Sequence, residues 1–267
     1  MQYLDLPILL ISASDSSSAA GMQVDLRVVN DLGHPARCAV TALTIQGEKG
    51  LIGNDPASPE NLVRAIDLAL SEPPGVYGVK IGLITGEDVV QAVSQKLSGP
   101  EKRGIPVVLD TVMKSTPGSK LSSDEAKKIL LERLLPLATL VTPNREELGE
   151  LAALSGKGEG SEEEIARSLI RSGADAILVT GGDDGSSLCV DILYQDGKTP
   201  VPFRHPRIGE GSTRGTGCAL SSALAVFLAR GLPVEEAVRL SIGYVAERIA
   251  RAAQVGSFRL LFPGKPA

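Results

Sequence analysis

The chain has 267 residues, of which 43% are hydrophobic, with a mean hydropathy of +0.10 and a formal net charge of −5. That is enough apolar material for a large core, and an acidic balance without a long basic run argues against nucleic acid or an anionic membrane as partner. The cysteines Cys38, Cys189 and Cys218 lack metal-ligand spacing, and two histidines, His34 and His205, are too few for a His-based triad or a His-rich metal site.

No apolar run reaches transmembrane length, and Met1 to Leu6 carries no basic segment, so a reducing cytoplasm is the expected setting. In chain order, Pro7 to Ser12 reads as a buried strand. A loop of small residues from Ala13 through Asp15 to Gly21 leads into an amphipathic helix over Met22 to Leu32. Cys38 to Ile45 is a second strand, ending at Gln46-Gly47. Helical spacing over Pro59 to Leu70 and Gly86 to Leu97 brackets a third strand at Val76 to Gly82. Ile105 to Asp110 is a strand with a carboxylate at its C-terminal end; Asp110 alone would be an ordinary turn cap.

A helix over Ser122 to Leu135 precedes a strand at Ala138 to Thr142, after which Pro143-Asn144-Arg145-Glu146-Glu147 opens the next helix. Glu162 to Ser172 is helical, and Ala176 to Thr180 is a strand stopped by Gly181-Gly182. Ser186 to Tyr194 and Thr199 to Arg204 form a hairpin around Asp196-Gly197. A helix follows Gly215 and runs to Leu228, a last one spans Val234 to Ala253, and the tail from Gly256 reads as poorly ordered. Strand-helix alternation of this kind predicts an α/β three-layer sandwich with a mainly parallel sheet, as one domain over residues 1–267.

The most informative stretch is Gly215-Thr216-Gly217-Cys218 running into an apolar segment. A tight turn opening a buried helix offers unpaired N–H groups and the positive end of a dipole, which suits a phosphate or an oxyanion. Cys218 falls in that first turn, where the same field favours a thiolate; otherwise it is a small buried hydrophobe. In an open parallel sheet, ligands collect beyond the carboxyl ends of the strands. Asp15, Gln46, Asp110 and Asn144/Glu147 are predicted to converge there with this turn. Carboxylates beside an anion-binding helix start make sense if a divalent metal bridges them to phosphates. Neither a P-loop nor a dinucleotide-binding glycine fingerprint is present.

An ordered series of motifs resembles the hydroxymethylpyrimidine/phosphomethylpyrimidine kinases, within the ribokinase-like superfamily, over nearly the whole chain. The series is Ser14-Asp15-Ser16 through Ala20-Gly21-Met22-Gln23-Val24-Asp25-Leu26, Thr41-Ala42-Leu43, Lys80-Ile81-Gly82 and Leu109-Asp110-Thr111-Val112-Met113. It continues with Thr142-Pro143-Asn144 and Glu147, Gly181-Gly182, and Gly215-Thr216-Gly217-Cys218. The resemblance implies ATP- and Mg2+-dependent phosphorylation of the hydroxymethyl group of a pyrimidine in thiamine biosynthesis, by a cytoplasmic homodimer.

It also implies roles. Gln46, Asp25, Val112 and Asp15 belong to the substrate side. Asp110, Asn144 and Glu147 belong to the magnesium-phosphate environment. Thr180, Gly182 and Arg214 belong to the nucleotide side. Gly215, Thr216 and Gly217 form the anion hole, and Cys218 stands at the reacting hydroxyl. The chain departs from the family's pattern at Ser16 to Ala20, where a glycine-rich loop is usual, at Thr180, where a lysine is usual, and at Arg214, where a histidine is usual. Arg214 is the nearest sequence candidate to restore the lost positive charge. A pyridoxine or pyridoxal kinase, and a pyrimidine-binding protein without turnover, are the alternative readings.

Overall fold

The computed structural model describes residues 6–47, 50–99, 104–112, 122–156, 160–182, 187–208 and 213–262. Its first half runs β1 (Ile8–Asp15), α1 (Gly21–Asp31), β2 (Ala36–Gly47), β3 (Gly50–Pro56), α2 (Pro59–Ser71), β4 (Gly78–Ile81), α3 (Glu87–Leu97) and β5 (Val107–Leu109). The chain continues through α4 (Asp124–Arg133), β6 (Leu140–Val141), α5 (Arg145–Leu154), α6 (Glu162–Arg171), β7 (Ala176–Val179), β8 (Leu188–Gln195) and β9 (Val201–Pro206). The last elements are β10 (Thr213–Arg214), α7 (Thr216–Ala229), α8 (Val234–Ala250), β11 (Ala253–Val255) and β12 (Phe258–Leu260).

Nine strands form one sheet in the order β3-β2-β1-β4-β5-β6-β7-β8-β9. The run from β2 to β7 is parallel; β3, β8 and β9 add antiparallel margins. Strand residues alternate between two cores because successive side chains leave a strand on opposite faces. Leu9 and Ile11 of β1 pack toward α2 to α6, while Ile8 and Leu10 pack toward α1, α7 and α8. Val107 and Leu109 against Val108 in β5, and Ile177 and Val179 against Leu178 in β7, divide in the same way. Burying each of these side chains contributes about 1.5–3 kcal/mol. Two apolar faces need two helical layers, and the predicted three-layer sandwich follows.

Strand order reverses at β1, which lies between β2 and β4, so the carboxyl ends of the neighbouring strands splay apart above it. Helix α7 packs beneath that opening. Ala219, Ala223 and Leu224 are fully buried within it, and its N-terminus points up at the strand ends.

Three elements differ from the sequence reading. The Gly50–Pro56 segment, with its glycines, Asn54, Asp55 and Pro56, has a loop composition, yet it pairs with β2 from Ala42↔Pro56 to Gly47↔Gly50. An edge strand tolerates those residues because one side of its backbone needs no partner. Helix α8 stops at Ala250 rather than at Ala253. The described part of the tail from Gly256 is ordered by pairing: β12 pairs antiparallel with β11 and parallel with β10, while residues 263–267 lie outside the described residues. Met113 of the fifth strand's motif and Ser186 at the start of the hairpin lie outside the described residues.

Candidate active site

The strand ends and the α7 turn enclose one cleft of about 520 Å3. It divides by chemistry. Ala13, Leu83 and Val112 offer an apolar wall with Gln46 at its edge, and Ala13, Leu83 and Val112 belong to one small apolar cluster with Ala42 and Leu51. At the far end, Thr180, Gly181 and Gly182 lie near a second apolar wall of Ile208, Ile242, Val245 and Ile249. The residues Gly215, Thr216, Gly217 and Cys218 sit between the two ends.

The turn is shaped by its first glycine. Gly215 caps α7 with φ 82°, in the left-handed region that favours glycine, and a Cβ there would collide with the Ala19 carbonyl. Helices α2, α4, α5 and α6 are each capped by a Ser or Asn side chain; α1, α3, α7 and α8 are not, and of these only α1 and α7 also lack an acidic residue in the first turn. The first-turn residues of α7, Thr216 to Cys218, line the cleft, so its positive end lies at the cleft wall.

Beneath the turn lies a buried charge cluster that the motif order did not reveal. Lys80 Nζ donates to both oxygens of Asp25 at 2.9 Å and lies 3.9 Å from Asp110 Oδ2. Ser222 Oγ donates to Asp25 and Ser221 Oγ to Asp110, each at 2.9 Å, so both carboxylates are tied to α7 one turn below Cys218. Burial works to lower the Lys80 pKa, but Asp25, Cys218 and Asp110 together more than offset it and the ammonium is held charged. Gly82 has to be small, since a Cβ would stand 2.5 Å from both Lys80 Nζ and Ser12 Oγ.

Several predicted residues take different roles here. Asp25 is in the network under the floor and does not line the cleft, so the expectation of substrate contact is not met. Asp15 lines the cleft, but its carboxylate accepts from Ser17 N, Ser17 Oγ and Ala20 N and thereby organises the first loop. Ser16 Oγ, in the loop that departs from the family, accepts from Gln46 N and donates to Gln46 O, fixing the Gln46 backbone. Arg214 does not reach toward Thr180. Its guanidinium donates twice to Gly47 O at 3.2 Å and stacks 4.3 Å above the Phe258 ring, which fastens the β2–β3 ribbon to the C-terminal hairpin.

Cys218 is half-buried, and its sulfur accepts from the Gly21 N–H. Burial pushes the thiol up to about 12, with Asp25 and Asp110 adding to the rise and Lys80 opposing it. Desolvation and the two carboxylates act against the thiolate that the helix field was expected to favour.

The Asn-x-x-Glu pair is a capping box: Asn144 Oδ1 accepts from Glu147 N, and Glu147 Oε2 accepts from Asn144 N and from Thr111 Oγ1. Asn144 thus spends its amide oxygen on the helix, against the expectation that it faces a metal. No group of three or more His, Cys, Asp or Glu among the described residues could hold a metal by itself. A magnesium ion needs less, because it keeps waters and takes phosphate oxygens alongside one or two carboxylates. Asp110 and Glu147 supply those, and the buried Thr142 Oγ1 in the same wall has no hydrogen-bond partner among the described residues. The residues fit a hydrated, substrate-bridged ion and not a closed protein cage.

Polar strand ends, an uncapped helix start and carboxylates across one cleft define a phosphotransferase acting on a small molecule. Comparison with known proteins places the chain within that class. The phosphomethylpyrimidine kinase family model matches residues 15–261, and the chain belongs to that family.

Among its relatives, the thiamine biosynthesis bifunctional protein ThiED of Geobacter sulfurreducens is 38% identical over 93% of this chain, which spans about half (50%) of that longer protein. The hydroxymethylpyrimidine/phosphomethylpyrimidine kinase of Rhizobium meliloti is 37% identical over 91% of this chain and 90% of its own length. Two solved structures share the fold. Phosphomethylpyrimidine kinase from Clostridium difficile 630 has a TM-score of 0.76 at 29% identity, covering 91% of this chain and 99% of that one. The pyridoxal kinase of Staphylococcus aureus, in complex with AMP-PCP and pyridoxal, has a TM-score of 0.83 at 25% identity, covering 96% and 92%.

Proposed function

We propose that this chain transfers the terminal phosphoryl group of ATP, with magnesium, to the hydroxymethyl oxygen of a pyrimidine or of its phosphate, in the cytoplasm. The observation that carries the reading is the uncapped α7 start, framed by Gly215, between an apolar ring slot and the Thr180–Gly182 end of one cleft.

The ring lies against Ala13, Leu83 and Val112, with the Gln46 amide reading its edge. Amides of Thr216, Gly217 and Cys218 receive the charge that develops on the transferred group. Asp110 and Glu147 would hold magnesium, which would neutralise charge on the phosphate oxygens. Lys80 keeps the floor compensated and Ser221 and Ser222 keep α7 in register with it. With its thiol protonated in the free protein, Cys218 has no site for a further proton and serves to orient the hydroxyl; the alcohol's proton leaves late in transfer, to an oxygen of the transferred phosphoryl group, when the alcohol oxygen has become far more acidic. A loose transition state asks little of a base before that point.

A homodimer accords with the same reading, and Leu43, Ile45 and Ile52 on the β2–β3 ribbon are exposed apolar surface that a partner would cover. Pyridoxal phosphorylation is the second reading, supported by the likeness to the pyridoxal kinase fold and by a slot that accepts any flat ring with a hydroxymethyl arm. Mass-spectrometric turnover with magnesium ATP and hydroxymethylpyrimidine, its phosphate or pyridoxal separates the readings. The proposal expects the pyrimidines to be turned over with the higher kcat/KM. A higher kcat/KM for pyridoxal supports the second reading, and binding without product supports a pyrimidine-binding protein.

A further inference from the structure

Buried hydroxyls rarely go without a partner, because a desolvated O–H that makes no hydrogen bond loses what water would have given it. Ser12, near the carboxyl end of β1, departs from that rule. It is 1% exposed, and its Oγ has no hydrogen-bond partner among the described residues. The polar side chains around it under the α7 start are engaged. Lys80 donates to both oxygens of Asp25, Ser222 donates to Asp25 as well, and Ser221 donates to Asp110. Ser12 is left open, and it lines the cleft.

Its direction follows from the strand. Ile8 and Leu10 face the layer of α1 and α7, and Ser12 is the next residue in that alternation. The β1–β2 register then shifts between Ser12 and Ser14, and Ala13 joins the apolar wall of the ring slot with Leu83. Room beside the hydroxyl comes from Gly82: Ser12 Oγ and Lys80 Nζ both border the space that a Cβ there would fill. The lone pairs of a hydroxyl turn toward an ammonium, which leaves the Ser12 hydrogen for an acceptor on the cleft side. Ala13 and Cys218 line the same cleft, so an arm reaching from a ring in the slot toward the α7 start carries its oxygen past Ser12.

Resting on the reading that a ring alcohol occupies the slot, we infer that Ser12 is a substrate-binding residue whose hydroxyl donates to the oxygen of the hydroxymethyl arm. Beside Cys218 it fixes that oxygen for transfer, and it distinguishes an alcohol from a methyl group, which would leave the hydroxyl unpaired.

Calorimetric binding of hydroxymethylpyrimidine, and of the analogue whose arm is a plain methyl group, tests this on the full chain without turnover. Ser12→Ala is expected to weaken the alcohol about fivefold and to leave the methyl analogue within about twofold, the scale of one hydrogen bond between neutral groups. Its melting temperature is expected to hold or rise, since the substitution removes an unpaired buried hydroxyl. Unchanged affinity for the alcohol, or equal weakening of both ligands, overturns the assignment. A lowered melting temperature without loss of selectivity overturns it too, because the hydroxyl then serves the fold. Wild-type protein that binds neither pyrimidine overturns it together with the pyrimidine reading. Selective loss of the alcohol in a protein that forms no product with magnesium ATP leaves the assignment standing and overturns the kinase reading alone.

Discussion

Lys80 and Asp25 form an ion pair with no exposed side-chain surface, the ammonium 2.9 Å from each carboxylate oxygen, directly beneath the helix start that faces the cleft. A strand lysine in that place is costly to desolvate, and it compensates two buried carboxylates, Asp25 of α1 and Asp110 just beyond β5. Breaking one side of such a pair leaves a buried charge unmatched. Lys80→Met is expected to destabilise the protein by about 3–5 kcal/mol, and Lys80→Met with Asp25→Asn to recover a large part of that. Urea unfolding of the two single variants and the double variant measures the coupling.

Arg214 tests how the ribbon is fastened. Its guanidinium grips Gly47, the neighbour of Gln46, so its loss loosens the substrate end rather than the nucleotide end. Arg214→Ala is expected to raise KM for the ring alcohol severalfold and to leave KM for ATP within twofold. Steady-state kinetics with each substrate varied in turn reads the split. A change confined to ATP would mean that the side chain swings to the phosphates on binding.

Cys218 should react as a thiol rather than as a thiolate. With its pKa pushed up to about 12 by burial and two carboxylates, the thiolate fraction is negligible at neutral pH and grows about tenfold per pH unit up to that value. In a Cys38→Ser background, which removes the exposed cysteine, iodoacetamide labelling of Cys218 is expected to be slow at pH 7 and still accelerating at pH 10. A rate that levels off near pH 8 would show that the helix field wins after all.

Much of this architecture was legible beforehand. Apolar runs ending in Asp15, Gln46, Asp110 and Thr142 betrayed parallel strands, and the Gly215 turn betrayed the helix start, because both signals are local. What escaped depends on distance. Gly50 to Pro56 is a strand only because β2 offers it a ladder, and β12 only because β10 and β11 flank it. Arg214 looked like a phosphate ligand next to an anion turn, but Phe258 and Gly47 compete for it from 44 and 167 residues away. Asp25 and Lys80 meet across 55 residues, and neither sequence position gives away the pairing. The Asn144–Glu147 spacing was ambiguous from the start, since a capping box and a metal-side pair share the same letters.

The central claim is that the α7 start carries the transferred phosphoryl group, and glycines 215 and 217 separate fold from chemistry there. Gly215 is held left-handed against the Ala19 carbonyl, so an alanine would strain the backbone itself. Gly217 is exposed, and a Cβ on it meets nothing within 4 Å. A methyl group at Gly217 would project into open space where the turn lines the cleft, without a clash in the protein. The decisive measurement is kcat of Gly217→Ala with magnesium ATP and hydroxymethylpyrimidine, taken beside its melting temperature. The account predicts an unchanged melting temperature and a kcat lowered about a hundredfold, the scale of losing an oxyanion-type donor. Wild-type kcat in that variant would contradict it.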